Sequence, residues 1–494
     1  MTLGSLLESA PGARPALRVP GGATLSYAAL RERSNELAAR LVAEGVRAGD
    51  RVAASYQNGL EIVVALFGVA AARAGYAPLN SAYTEDEFRF YLDDIAPKLL
   101  LLTPGSVPAA RAAAATLGIP VLDVWFEGEN LWTSATNATE TAIPQAQDED
   151  VALFLHTSGT TSRPKGVPLT HANLAASAAN IQRWYRLGSE DVSYCVMPLF
   201  HVHGLVFSTL AHLGAGAVVV IPERFSASAF WPHVREHGAT VVSAVPTIFR
   251  NLVQAAREQG GSGPHTLRFL RSSSAPLPAS TMEEIESAFG VPVIEAYSMT
   301  EASHQMTANP LEGERRPGSV GVGAFVDVAI LDETGAACAT GTVGEVAVRG
   351  PNVTHGYHNN PEANAACFTN GWFRTGDWGV LSDDGYLTLV GRLKELINRA
   401  GEKISPVEVD DALLSHAGVT EAVSFAVPDE KYGEAVGAAL VLKAGTTADE
   451  VISHARSRLA SFKVPTAVYV VDSIPRTATG KVQRRVVAAA VAAP

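Results

Sequence analysis

A short apolar run, Val151-Ala152-Leu153-Phe154-Leu155, leads straight into His156-Thr157-Ser158-Gly159-Thr160-Thr161-Ser162-Arg163-Pro164-Lys165-Gly166. A continuous apolar pentapeptide bounded by turn residues reads as a short buried strand, so the fold has to contain a sheet with this segment inside it. The hydroxyls, glycines and single lysine after it suit a turn that wraps a polyphosphate. Backbone N–H groups and hydroxyls are the donors there, and the ammonium is a point charge. The pattern is not a Walker loop, G-x-x-x-x-G-K-[ST], because Lys165 precedes the glycine and no Ser or Thr follows. Taken alone, the stretch also fits a flexible Ser/Thr/Gly linker. The rest of the chain decides between the two.

The chain has 494 residues, enough for a large core and more than one domain. It is 47% apolar and 18% charged, and no apolar run reaches the length needed to span a bilayer. Met1 to Pro11 has no basic region and carries Glu8, and the chain ends Val-Ala-Ala-Pro rather than Ser-Lys-Leu. A cytoplasmic protein without a membrane partner is the expectation. Cys195, Cys338 and Cys367 make no disulfide framework and no zinc-ligand spacing. The net charge of −12 argues against a nucleic-acid partner, which would need clustered cations. Charge is unevenly placed, however. Residues 456–485 hold seven basic residues and one acidic, Asp472. Such a run fits either a solvated face or a surface that meets a polyanionic small molecule.

Alternating elements fill the first half. Leu30, Leu37 and Leu41 share a helical face with Gly45 as its stop, and Arg51 to Ser55 reads as a strand. An alanine-rich helix is expected over Ala109–Ala115, and Thr133 to Asp150 is a polar connection. Further strands are expected at Ala217–Ile221, Thr240–Val245, Leu267–Leu270 and Val291–Ile294, which implies parallel sheet with covering helices. From about 316 to 390 short strands with Gly, Asp and Asn turns suggest a β subdomain. A last αβ module of roughly a hundred residues follows Gly391-Arg392.

Four more motif regions come in order: Pro198-Leu199-Phe200-His201-Val202-His203-Gly204, Glu295-Ala296-Tyr297-Ser298-Met299-Thr300-Glu301, Trp372-Phe373-Arg374-Thr375-Gly376-Asp377 with Gly391-Arg392-Leu393-Lys394-Glu395, and Pro475 to Arg485 around Gly480-Lys481. With these, the chain resembles the acyl-adenylate-forming superfamily of acyl-CoA synthetases, adenylation domains and luciferases. The resemblance implies an α/β fold: a large N-terminal domain of parallel-rich sheets with covering helices and a β subdomain, plus a small mobile C-terminal α+β domain. The domains it implies are 1–392 for ATP and acyl sites, a hinge at 393–394, and 395–494 for the mobile part.

The chemistry implied is attack of a carboxylate on the α-phosphate of Mg·ATP, loss of pyrophosphate, then thiolysis by coenzyme A with release of AMP. Such phosphoryl chemistry needs positioning and charge neutralisation more than covalent help. The resemblance gives ATP or AMP contacts to Thr157, Ser158, Gly159, Thr160, Thr161 and Lys165. It sets Glu295, Ala296 and Tyr297 around adenine, Thr300 at the α-phosphate, Glu301 on Mg²⁺, and Asp377 and Arg392 on the ribose. Lys481 is the implied catalytic cation. Lys394 is the implied hinge, with Gly401, Glu402 and Lys403 facing CoA in the second orientation.

Three departures narrow the resemblance toward oxalate–CoA ligases: Ser162-Arg163 in the phosphate turn, Ser273-Ser274-Ala275-Pro276 where Gly-Gly-Ala-Pro is usual, and Ala302-Ser303-His304-Gln305 after Glu301. Serines in place of glycines make the acyl floor smaller and more polar. If a helix begins at Glu301, His304 lies on the same face three residues on. His201, as the family's acyl-pocket gate, Ser274 and His304 are then the implied contacts of a small acid with a second carboxylate. His203 reads as a packed or hydrogen-bonded histidine. Malonate or another short acid, and a stand-alone adenylation enzyme loading a separate carrier protein, are the alternatives.

Overall fold

The computed structural model describes residues 1–135, 141–157, 164–392, 394–400, 402–476 and 482–492. Two large sheets organise the first three hundred residues. One has seven strands among the described residues, in the order Asn130–Thr133, Val121–Glu127, Leu99–Leu102, Arg51–Ala54, Gly75–Pro78, Val151–Thr157, Lys165–Thr170. Its central strands are parallel, and antiparallel partners close both edges. The helices Tyr27–Ala43 and Leu60–Ala71 pack together; nearly the whole of the second is buried, as its all-round apolar sequence demands.

The second sheet has nine strands among the described residues. Its parallel centre runs Phe269–Ser272, Val241–Ala244, Val192–Tyr194, Val218–Val220, and Val293–Met299 adds to it beside Phe269–Ser272. Beyond Val293–Met299 the direction reverses: His304–Ala308 and Val322–Gly323 run antiparallel. The α/β alternation expected from the sequence is borne out, with strand starts displaced by up to two residues where apolar runs and ladder registers disagree.

A five-stranded antiparallel sheet carries Asp327–Leu331, Gly344–Arg349, Phe368–Thr369, Trp372–Leu381 and Leu387–Arg392. From Ile397 onward the chain builds a core of its own, with Ile397, Ile404, Leu413, Val436, Leu440 and Val451 at its centre. The helix Pro406–Leu414 packs on the long hairpin Val419–Asp429/Gly433–Leu442. No helix among the described residues is long and apolar enough to cross a membrane.

Candidate active site

Side chains gather where the parallel strands of the nine-stranded sheet end, the usual place for a ligand crevice in α/β sheets. Register puts Ser243 beside Arg271, and Ser272 beside Glu295. Just past these ends come the Ser273-Ser274 turn, the Thr300-Glu301 turn and His304.

Asp377 joins three elements. Its Oδ2 accepts the Tyr297 hydroxyl, and Arg392 Nε lies 3.2 Å from its Oδ1. Asp377 and Arg392 are register partners on adjacent strands, which fixes the pair. The Asp377 charge raises the Arg392 pKa, and burial drives the Tyr297 phenol well up. Thus the predicted ribose residues and one predicted adenine neighbour are brought together. Ala296 is buried beside them. Glu295 takes the Leu277 N–H at 3.1 Å on Oε1, while its buried Oε2 has no partner among the described residues. Burial pushes this carboxyl up to about 8.

Glu301 is 5% exposed and accepts the Tyr357 hydroxyl at 2.8 Å; its backbone carbonyl takes Thr354 N–H at 2.7 Å. Burial raises its pKa, opposed by Tyr357, Arg392 and Lys165. Lys165 stands opposite Thr157 on the hairpin Val151–Thr157/Lys165–Thr170, with Nζ 4.6 Å from the Tyr357 ring centroid. Lys165, Tyr357 and Glu301 therefore form one cluster, with Thr300 buried next to it. Within the hairpin, a Cβ on Gly166 would come 2.5 Å from Phe154 Cζ, so no larger residue fits there without displacing the ring. Ser158, Gly159, Thr160, Thr161, Gly401 and Lys481 lie outside the described residues.

A helix starting at Glu301, the condition under which His304 would share its face, is not formed. Thr300–Ala302 makes one 3₁₀ turn, Ser303 adopts φ 49°, and His304, at φ 106°, opens the strand His304–Ala308. A left-handed Ser303 ends the turn before a helix can propagate. His304 still reaches the site, buried, by the strand route. Its ring centroid is 5.1 Å from that of His203.

His203, read from the sequence as a packed or hydrogen-bonded histidine, is buried and bonds Ser274: Nδ1 lies 3.2 Å from Ser274 Oγ and Nε2 lies 2.7 Å from Ser243 Oγ. It opens a π-helical segment, His203–Ala211, a geometry frequent at functional sites. His201, half-buried, precedes that segment, with Nδ1 3.3 Å from the His203 backbone nitrogen. Ser274 itself holds φ 71°, a strained conformation for a residue with a side chain. Arg271, Ser243 and Tyr357 join the site without having been singled out from the sequence; only their burial and partners mark them.

Farther along, Lys394 is exposed. Glu402 and Lys403 lie on the small hairpin Ile397–Arg399/Glu402–Ile404, where Lys403 Nζ is 4.2 Å from the Trp378 ring centroid.

This is the site of an adenylate-forming enzyme, and the comparisons agree. The chain belongs to the AMP-binding enzyme family, whose model matches residues 7–358, while the AMP-binding enzyme C-terminal domain matches 408–481. It is 48% identical to an oxalate–CoA ligase of Arabidopsis thaliana, covering 99% of this chain and 98% of that protein. It is 44% identical to an oxalate–CoA ligase of Saccharomyces cerevisiae, over 89% and 86%. Among solved structures, ATP-bound MatB from Rhodopseudomonas palustris superposes with a TM-score of 0.90 at 33% identity, covering 98% of both chains.

Proposed function

We propose that this protein is an ATP-dependent acid–CoA ligase that activates oxalate. Oxalate and ATP give oxalyl adenylate and pyrophosphate, and coenzyme A then gives oxalyl-CoA and AMP. The observation that carries the substrate is the polar wall of the acyl side: Ser274, His203 and His304 close together beside Thr300 and Glu301. Oxalate has no methylene to bury, so only polar contacts can select it. The 48% identity to an oxalate–CoA ligase supports the same substrate. The cytoplasm is its expected compartment.

In this reading Thr157, Ser158, Gly159, Thr160, Thr161 and Lys165 hold the β- and γ-phosphates, and Thr300 the α-phosphate. Glu295, Ala296 and Tyr297 flank adenine, while Asp377 and Arg392 hold the ribose. Glu301 fits Mg²⁺: a buried hard-oxygen donor whose one carboxylate suits an ion that keeps waters and phosphate oxygens as its other ligands. Among the described residues no three His, Cys, Asp or Glu groups form a cage, so a cation here would share its coordination with the nucleotide. When bound, Mg²⁺ supplies charge neutralisation on the phosphates. Tyr357 orients the Glu301 carboxylate. Lys481 neutralises charge between the attacking carboxylate and the α-phosphate. Ser274 and His304 donate to the second carboxylate, with His201 as the gate. Residues 1–392 act as the nucleotide domain, 393–394 as hinge around Lys394, and 395–494 as the moving part, whose Gly401-Glu402-Lys403 face meets CoA. The self-contained core from Ile397 onward supports that division.

AMP release measured with oxalate, with and without coenzyme A, tests the reading. AMP that forms only with CoA supports a ligase. Adenylation that proceeds but never yields a CoA thioester points instead to an enzyme loading a carrier protein.

A further inference from the structure

Arg271 is fully buried on the strand Phe269–Ser272, and among the described residues no carboxylate stands within ion-pairing distance of it. A guanidinium without a counter-charge is costly to bury, so such a group calls for an anion or a function. Its orientation is fixed on three sides. Nε donates to Tyr185 Oη at 3.0 Å and to Gln305 Oε1 at 3.2 Å, Nη1 donates to Ser243 Oγ at 3.2 Å, and the Phe207 ring centroid is 4.5 Å from Cζ. Nη2 is buried with no acceptor among the described residues.

Arginine can only donate, and that favours one direction for a chain. Ser243 Oγ, having accepted from Arg271, has one proton to give. The shorter of its two outlets is His203 Nε2 at 2.7 Å, against 3.3 Å to the Arg271 carbonyl. A His203 that accepts at Nε2 carries its proton on Nδ1 and donates it to Ser274 Oγ at 3.2 Å. Ser274, with its oxygen already accepting, is then free to present its own O–H outward. It is the first member of the chain that is not buried.

We propose that Arg271 is the positioning residue for diacid specificity: through Ser243 and His203 it polarises a one-way donor chain that ends on the Ser274 hydroxyl, and it is the counter-charge for the second carboxylate of the acid. This deepens the oxalate reading and rests on it. The chain explains why a buried arginine is tolerated with no acidic partner. The second negative charge comes with the substrate, and a monoacid leaves the site electrostatically unbalanced. It also leaves the Ser274 O–H available as a donor, which favours a carboxylate over a methyl group.

Arg271→Met, Arg271→Lys and Ser243→Ala would be compared with the unaltered enzyme in steady-state kinetics on oxalate and ATP, with thermal unfolding as the check on folding. Arg271→Met is expected to raise KM for oxalate roughly threefold to thirtyfold, the range for a residue that acts through a network of bonds, with KM for ATP unchanged. Arg271→Lys should recover part of that loss, and Ser243→Ala should reproduce part of it although it removes no charge. Equal losses for oxalate and ATP, or an oxalate KM untouched in Ser243→Ala and in whichever Arg271 variant folds, would overturn the assignment. An unaltered enzyme that ignores oxalate would fail the substrate reading itself, so the two failures are distinct.

Discussion

Glu295 carries the clearest pH signature of any single residue in the site. Burial holds its carboxyl at about 8, where an ordinary glutamate titrates near 4.5, and the Leu277 N–H offsets this only in part. Between those two values the unfolded chain has already lost the proton that the folded protein keeps. Stability therefore falls as pH rises across that window and levels off above it. Glu295→Gln keeps the shape and removes the titration. We expect the variant to melt a few degrees (~2–6 °C) above the parent at pH 8 and to match it below pH 4.5, read from melting temperature against pH. Parallel curves for the two proteins would mean that the folded carboxylate is ionised throughout. The residues legible in the sequence were those that lie in a local motif, such as Asp377 in its Arg-Thr-Gly-Asp run, which the structure places within a strand, and Glu301 after its strand. Arg271, Ser243 and Tyr357 were not legible, because what distinguishes them is desolvation and a partner about 30 to 60 positions away in the chain.

Among the elements, the π-helical segment His203–Ala211 carries His203 to the side of the site proposed to hold the acid, and Gly204 is what lets it start. A Cβ on Gly204 would stand 2.5 Å from the Pro198 carbonyl oxygen and 2.9 Å from that of Met197. Both are backbone atoms that cannot turn aside. Gly204→Ala should cost about 1–3 kcal/mol of stability and displace the His203 ring that bonds Ser274. Denaturant unfolding together with the oxalate KM checks this, and an alanine variant with unaltered values for both would show that the backbone has room to yield. Strands were readable at several places where an apolar run met a turn, as at Val151–Thr157, although the buried run Leu99–Leu102 was not singled out. The segment after Glu301 was not, since a helix and a strand both suit Ala-Ser-His-Gln. The left-handed Ser303 that decides for the strand is held by tertiary packing, including the bond from Ser177 Oγ to its carbonyl at 2.7 Å.

At the scale of the whole molecule, the account needs two half-reactions served by one nucleotide site and a moving last domain. The part from Ile397 onward has its own core, and it meets the rest through discrete contacts such as Arg250 Nη1 to the Thr420 carbonyl at 2.9 Å and Lys403 over Trp378. Such contacts can be exchanged without unfolding either side. Lys394→Pro, by fixing φ at the proposed hinge, should impair one half-reaction at least tenfold more than the other. Oxalate-dependent pyrophosphate exchange and thioester formation from preformed adenylate separate the two, and an equal loss in both would speak against domain alternation. The central claim, that a polar acyl wall selects oxalate, meets its most direct test in the specificity constants for oxalate, malonate and acetate in CoA-dependent AMP release. The account predicts oxalate first, malonate as its nearest competitor, and acetate lower by about four decades, because acetate leaves buried donors unpaired. Turnover of a long aliphatic or aromatic acid by an enzyme that leaves oxalate untouched would contradict it.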